Sequence, residues 1–285
     1  MKLTVFGEIL WDIFEDEKRI GGAPFNFAAH CAKFGLTVDV ISAIGKDTLG
    51  KDALATAKNL NINTQNIRTV DYSTGHCLVS LHDGIPSYHL VENVAYDNIP
   101  LPESDRFEAD AFYFGTLAQR SPKSRETLQK LLNGTYKEIF FDINIRQSYY
   151  SEKMIDESLK KATIFKVSRE EIHVLEIDGT PEEICKALSK KYKNLKLIIV
   201  TLDADGSLVY DTLSKKIRYS PKPTSKVVST VGAGDSFSAC FLSNYLQNVE
   251  LEECLTRATL LSDYVVTQLG AIPEYPKELK EKILP

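Results

Sequence analysis

Basic residues do not dominate this chain and never cluster: 34 lysines and arginines stand against 39 acidic residues, a formal charge of −5. A chain with that balance is not built to track a nucleic-acid backbone. An anionic nucleotide can still bind through backbone N–H groups and a divalent metal. Long apolar runs are missing as well. None approaches the length of a membrane-spanning helix, and Met1-Lys2-Leu3-Thr4-Val5 runs into Gly7 and Glu8 without the apolar centre of a secretory signal. Asn133-Gly134-Thr135 therefore says little as a glycosylation acceptor, and the expected setting is cytoplasmic. The five cysteines (Cys31, Cys77, Cys185, Cys240 and Cys254) contain no C-x-x-C pair, which points to reduced, mostly buried thiols. The five histidines show no metal-ligand spacing. There is no internal repeat, low-complexity tract or evident linker.

With 285 residues, 43% of them hydrophobic, the chain can bury one large α/β core or two small ones. Short apolar runs at Leu3–Phe6, Val38–Ile41, Ala111–Phe114, Ile139–Phe141, Ile164–Val167 and Leu197–Val200 read as buried strands. Helix-period segments lie between them, near 24–34, 47–60, 121–132, 151–161 and 181–192. The last opens on Thr180-Pro181-Glu182-Glu183, a cap with proline at the first helical position. This alternation predicts a parallel sheet covered on both faces. Residues 10–20 and about 74–98 break the rhythm with β-like runs, and Asp83-Gly84 is a hairpin signal between two of them. They suit either an edge extension of the main sheet or a lid over an active site.

The sequence concentrates its chemistry near the C-terminal end. Ser229-Thr230-Val231-Gly232-Ala233-Gly234-Asp235 leads into a helix with Phe237, Phe241 and Tyr245 on one face. Gly232 and Gly234 let a ligand approach the main chain closely, and a helix start favours an anion. Asp235 at the same spot suits a proton acceptor beside a bound anion, or simply a capped turn. Gly21-Gly22-Ala23-Pro24-Phe25-Asn26 starts another helix, where Asn26 can offer an amide to a ligand and Asp12 adds an acceptor pair for sugar hydroxyls. An ordinary strand-to-helix turn fits those glycines too. Gly45-Lys46-Asp47-Thr48-Leu49-Gly50-Lys51-Asp52 nearly spells a phosphate-binding loop, but Asp52 stands where a hydroxyl should meet magnesium, so that reading is rejected. Asp142, Asn144 and Arg146 close a predicted strand, point to one side if the chain stays extended, and lie where parallel sheets collect ligands. Glu170 and Glu171 follow another strand. Glu171 can orient water around a metal, and both can equally be a charged first helical turn.

Together these segments, with Thr201-Leu202-Asp203-Ala204-Asp205-Gly206, resemble the PfkB-type sugar kinases, the ribokinase family. The matches keep the family's order from Gly7 to about Ala271, and Thr230–Asp235 is the most specific of them. Gly7-Glu8-Ile9-Leu10-Trp11-Asp12 with Gly21–Asn26 is similar to the fructokinase branch. The resemblance implies a ribokinase-like three-layer α/β fold: a mostly parallel central sheet, helices on both faces and a small β lid. It implies a single kinase domain over 1–285, with lid segments near 10–20 and 74–98. It also implies ATP-dependent phosphorylation of a sugar's primary hydroxyl. Fructose is the foremost acceptor; 2-keto-3-deoxygluconate, ribose or a nucleoside are alternatives, as is a catalytically silent sugar sensor. Asp235 would be the base, with an ordinary carboxyl pKa of about 4. Gly232, Ala233 and Gly234 would form an anion hole, and Arg146 would meet phosphate charge. Asp12, Gly21, Gly22, Asn26 and Asn144 would hold the sugar. Thr201, Asp203, Gly206 and Thr230 would lie at the nucleotide, and Leu260–Ala271 would wall the adenine. Glu171 would act on Mg²⁺ through water. A homodimer through the lid is expected by analogy. Three positions depart from the family. Ser229 replaces a usual Asp that helps shape the K⁺ site of potassium-binding relatives, which counts against a K⁺ requirement. Ser168 replaces an Asn, and Asp203 replaces a common glycine.

Overall fold

Apolar runs without alternation mark strands covered on both sides, and β1 (Lys2–Phe6) is one: from Leu3 onward every residue is buried. The computed structural model describes residues 1–82, 85–103 and 106–285, and their side chains except those of 80–82 and 85–87. The hairpin signal at Asp83-Gly84 lies outside the described residues. After β1 come β2 (Leu10–Ile13), β3 (Lys18–Gly21), α1 (Ala23–Lys33), β4 (Thr37–Gly45), α2 (Thr48–Asn59) and β5 (Ile67–Val70). Then follow β6 (Gly75–His82), β7 (Ile85–Leu90), β8 (Glu108–Phe114), α3 (Pro122–Leu131), β9 (Thr135–Asp142) and α4 (Glu152–Leu159). The C-terminal part contains β10 (Ile164–Ser168), α5 (Pro181–Lys191), β11 (Leu197–Thr201), β12 (Ser207–Asp211) and β13 (Lys216–Tyr219). It ends with α6 (Ala233–Leu246), α7 (Leu251–Val265) and α8 (Lys277–Ile283).

Nine strands form one sheet in the order β13-β12-β11-β10-β9-β8-β1-β4-β5. Six neighbouring pairs, from β11 across to β5, run parallel; β12 and β13 are antiparallel at one edge. One hydrophobic core lies between the sheet and α1, α6 and α7, where Phe27 stacks on Tyr113 with ring centroids 3.7 Å apart. A second, on the opposite face, packs Phe114, Phe141 and Phe165 against α3, α4 and α5. This is the three-layer α/β fold that the alternation predicts. Local signals hold: Thr180 and Glu183 cap α5 reciprocally behind Pro181. The rejected phosphate-loop stretch is the turn into α2, where Asp47 Oδ1 accepts from the Gly50 amide at 2.8 Å. β5, β12, β13, α7 and α8 fall outside the runs read from the sequence. Among the described residues no helix is long and apolar enough to cross a membrane.

The segments that broke the rhythm form a separate four-stranded sheet, β3-β2-β6-β7. β2 pairs antiparallel with β3 and parallel with β6, placing Leu10 between Gly21 and Gly75. Residues 91–98 are not strand. Ala95–Asn98 is a short 3-10 turn that buries Tyr96 under this sheet, and Arg120 grips Asp97 with two hydrogen bonds of 2.8 and 2.9 Å.

Candidate active site

Loops that leave the C-terminal ends of β1, β9, β10 and β11 meet the start of α6 around one cavity of about 790 Å³. That is where open parallel sheets hold ligands. The sheet order sets its length: β1 and β11 are four strand spacings apart, about 19 Å at ~4.8 Å each. Most residues singled out for the site line it: Asp12, Gly21, Gly22, Asn26, Asn144, Arg146, Glu171, Thr201, Asp203, Gly206, Thr230, Gly232, Ala233, Gly234 and Asp235. All four strands of the small sheet contribute to its wall, through Asp12, Gly21, Cys77, Tyr88 and Leu90.

At the β1 end, two helix starts face each other. Gly22 precedes α1 at φ +101°, and a side chain there would come 2.6 Å from the Glu8 carbonyl. Asn26, one turn into α1, donates its Nδ2 to Asp235 Oδ2 at 2.8 Å, a buried bond across 209 residues. Asp235 is 8% exposed in the first turn of α6. Burial raises its pKa to about 6; the Asn26 hydrogen bond works against that rise, Asp142 reinforces it, and Arg146 and Lys166 oppose it. The expectation of an ordinary carboxyl near 4 is thus corrected: the charge sits where water cannot solvate it. Burial also raises Asp12, against the pull of Arg146 and Arg19. Glu8 had no assigned role. It lines the same end at 3% exposure, and burial raises its pKa to about 7. Among the described residues its Oε2 and the Asn26 Oδ1 have no hydrogen-bond partner.

The turn before α6 holds Gly232 at φ +81°, and a side chain there would sit 2.6 Å from the Ala271 Cα. Only glycine suits both constraints. The Ala233 amide donates to the Thr230 carbonyl at 3.3 Å, so within this turn the Gly232 and Gly234 amides are the better placed anion donors. The expectation that Asp142, Asn144 and Arg146 share one side does not hold. β9 ends at Asp142, and Asn144 lies at φ +40°, which breaks the extended geometry. Asn144 and Arg146 turn to the cavity, whereas Asp142 is buried beside it. There it accepts from Lys166 Nζ at 3.1 Å, Ser238 Oγ at 2.9 Å and Tyr113 OH at 3.4 Å. Glu171 accepts from the amides of Ile145 at 2.7 Å and Ser168 at 2.9 Å, which ties the loop carrying Arg146 to β10. Burial works to raise its pKa, but Lys166 and these amides outweigh burial and hold it below the usual value.

At the β11 end, Asp203 stands at φ +52° and Gly206 at φ +90° in a short turn after Thr201. The left-handed angle at Asp203 is one that glycine adopts without strain. Of the stretch Leu260–Ala271, only Ser262, Asp263 and Val266 reach the cavity; Leu260 packs into the core and Ala271 lies against Gly232. Asp263 also holds the neighbouring loop, accepting from the Ser225 amide at 3.0 Å. The sequence reading missed Lys166 although a signal was there, a lone charge inside the apolar run Ile164-Phe165-Lys166-Val167. Thr259, Ser225 and Val227 gave no comparable signal.

A ribokinase-like sheet whose cavity joins a buried carboxylate to a glycine turn defines a class, the ATP-dependent carbohydrate kinases. The chain belongs to the pfkB family of carbohydrate kinases, whose model matches residues 3–278. It is 30% identical over 252 residues to the uncharacterized sugar kinase PH1459 of Pyrococcus horikoshii, covering 84% of this chain and 77% of that one. A solved structure of that kinase in complex with ATP superposes with a TM-score of 0.82, at 26% identity and covering 99% and 97% of the two chains. The ATP-dependent 6-phosphofructokinase of Thermoanaerobacterium thermosaccharolyticum is 27% identical, covering 96% of this chain and 90% of that one. Fructokinase from Vibrio cholerae, solved with fructose, ADP and calcium, shares the fold at TM-score 0.83 and 20% identity, covering 100% and 99%.

Proposed function

We propose that the chain transfers the γ-phosphoryl group of ATP to a primary hydroxyl of fructose. The observation that carries this reading is the Asp235 carboxylate, buried at the start of α6 with one oxygen held by Asn26. That bond leaves Oδ1 to take the acceptor's proton. As the bond from phosphorus to ADP breaks, the sugar oxygen bonds to phosphorus and its proton passes to Asp235. A positioned base of this kind contributes roughly 10²–10⁴ in rate. The acceptor lies at the β1 end, against Asp12, Gly21, Gly22, Asn26 and Asn144. The fructokinase-like start of the chain and the fold neighbour that binds fructose support this choice. ATP lies toward β11, against Thr201, Asp203, Gly206 and Thr230. The Gly232–Gly234 turn and Arg146 face the charge on the moving group. The small sheet closes over the acceptor end as a lid and excludes water, so that ATP is not hydrolysed.

Magnesium is held mostly by phosphates and water; when bound it would neutralise phosphate charge, and Glu171 would accept from its waters. Ser229 Oγ is engaged with the Val231 amide at 3.3 Å, in keeping with a K⁺-independent site. Purified protein with ATP, magnesium and a panel of fructose, ribose, 2-keto-3-deoxygluconate and a nucleoside tests the reading through ADP release. Fructose should give the highest kcat/KM; preference for another acceptor, or binding without ADP release, would overturn it.

A further inference from the structure

One buried cation that lines the cavity has no role in the transfer step as described above. Lys166 is the middle residue of β10, its side chain 7% exposed and ion-paired with Asp142, itself 1% exposed. Among the described residues Asp142 is its hydrogen-bond partner, at 3.1 Å. An ammonium has three N–H donors, so two are left over, and Lys166 lines the cavity. Its position relative to the glycine turn is close: a side chain on Gly234 would come 3.2 Å from the ammonium. Asp142 in turn accepts from Ser238, one helical turn beyond Asp235, which fixes the ion pair beneath the start of α6. The geometry points to Lys166 as a charge-holding residue of the transfer centre, whose ammonium beneath Gly234 donates to the phosphoryl group as it moves. This rests on the kinase reading given above.

The argument is one of charge and placement. A cation held in a water-poor site acts on developing negative charge more strongly than one in solvent, and needs no reorganisation as the charge appears. Lys166 stays protonated: burial pulls its pKa down, but Asp142, Glu171 and Asp235 together outweigh burial and raise it. It therefore does not compete with Asp235 for the acceptor's proton. It also helps keep Asp235 ionised, because its charge opposes the effect of burial there. A Cβ at Gly234 would press on the ammonium at 3.2 Å, so the glycine leaves it room beneath the turn.

A purely structural ion pair would behave differently, because well-packed apolar residues can replace such a pair without loss of fold. The test is the full-length double variant Lys166→Met with Asp142→Leu, assayed with ATP, magnesium and the acceptor that wild type turns over best. Wild-type turnover comes first and decides the kinase reading by itself. With that established, the double variant should fold and bind the acceptor as wild type does. Its kcat should fall about 100-fold, the size of effect seen when one charge-stabilising donor is removed. The pH profile is a second readout. The charged groups that act on Asp235 are Glu8, Asp142, Arg146 and Lys166, beside the Asn26 hydrogen bond. In Lys166→Gln, which keeps Asp142, the acid limb of kcat should move up by about half a unit or more. Should the double variant fail to fold, Lys166→Gln also carries the rate test. A kcat within threefold of wild type together with an unmoved acid limb would leave Lys166 only a structural role and overturn the proposal.

Discussion

The two ends of the cavity are built by different means. At the β1 end, the proposed acceptor end, the cavity is lined by side chains withdrawn from solvent: Glu8, Asn26 and Asp235 are 3%, 4% and 8% exposed. The β11 end, the proposed nucleotide end, is made of backbone turns and loops. Asp203 and Gly206 hold left-handed angles, and Val227 and Val231 are 57% and 46% exposed. Ion pairs from Arg169 and Lys222 to Asp205 fasten this end, and exposed pairs contribute little to stability. The acceptor end keeps two carboxyls where they are poorly solvated, so its chemistry is set against its stability. The nucleotide end carries no such conflict. Substitutions at the first should change turnover and folding together, whereas those at the second should change ATP affinity and leave sugar binding alone.

Asp235→Asn is the largest test of that contrast. Turnover should fall by roughly 10³-fold or more with the acceptor's dissociation constant nearly unchanged, because a base acts mainly in the transition state. Stability should move the other way. A buried carboxyl raised from 3.8 to about 6 takes up protons on folding, so it lowers stability as pH rises from about 4 and levels off above 6. Asparagine removes this penalty and should stabilise the fold on the order of 3 kcal/mol at pH 8, with the gap closing near pH 4. A melting curve at the two pH values reads it. Near-normal turnover, or a stability gain over wild type no larger at pH 8 than at pH 4, would break the comparison.

Glycines come next, and they separate the ends by substrate. Gly22→Ala places a Cβ 2.6 Å from the Glu8 carbonyl at φ +101°; Gly206→Ala places one 2.7 Å from Ser220 Oγ at φ +90°. Backbone strain alone costs about 1–2 kcal/mol in each, and steric overlap adds to it. The first should raise KM for the sugar about tenfold and the second KM for ATP by a similar factor. The reverse assignment would show that the ends have been exchanged.

Wild-type pH dependence should show a smaller effect, read at each end. As pH falls through about 6, Asp235 takes up a proton and kcat declines. Glu8, raised from 4.5 to about 7 by burial, becomes neutral over the same range. Glu8→Gln should therefore flatten the pH dependence of sugar binding between pH 5 and 8 and leave ATP binding as it was. Isothermal titration with each ligand separates the two; a matching change in ATP affinity would count against an acceptor-end role for Glu8.

How far the chain could be read follows the same division. The parallel core was legible because both-face burial leaves unbroken apolar runs such as Leu197–Val200. The two helix starts were legible because glycine followed by a polar residue is a local signal. The antiparallel edge strand β13 was not: Lys216–Tyr219 is short and half exposed, and pairs only with β12. Lys166 escaped because its meaning lies in Asp142 and Gly234, 24 and 68 residues away. The orientation of Asp142 escaped because one left-handed residue, Asn144, turns the chain after it. The raised pKa of Asp235 could not be read either, since burial is a property of the folded cavity and not of the Gly-Ala-Gly-Asp run.

Asp203→Gly should have the smallest effect and is the sharpest probe of the nucleotide end. Asp203 adopts φ +52°, an angle that costs a residue with a side chain up to about 1–2 kcal/mol, less for Asp than for most. Glycine relieves that strain but adds freedom to the unfolded chain, which takes back roughly 0.4–1 kcal/mol. The net change in stability should therefore stay within about 1 kcal/mol. Asp203 lines the cavity beside the proposed phosphate path, so removing its charge should tighten ATP binding about two- to threefold and leave sugar binding alone. A stopped-flow or calorimetric measurement of ATP affinity at low and high salt discriminates the causes. Gain through lost repulsion shrinks as salt screens it, whereas gain through relieved backbone strain does not.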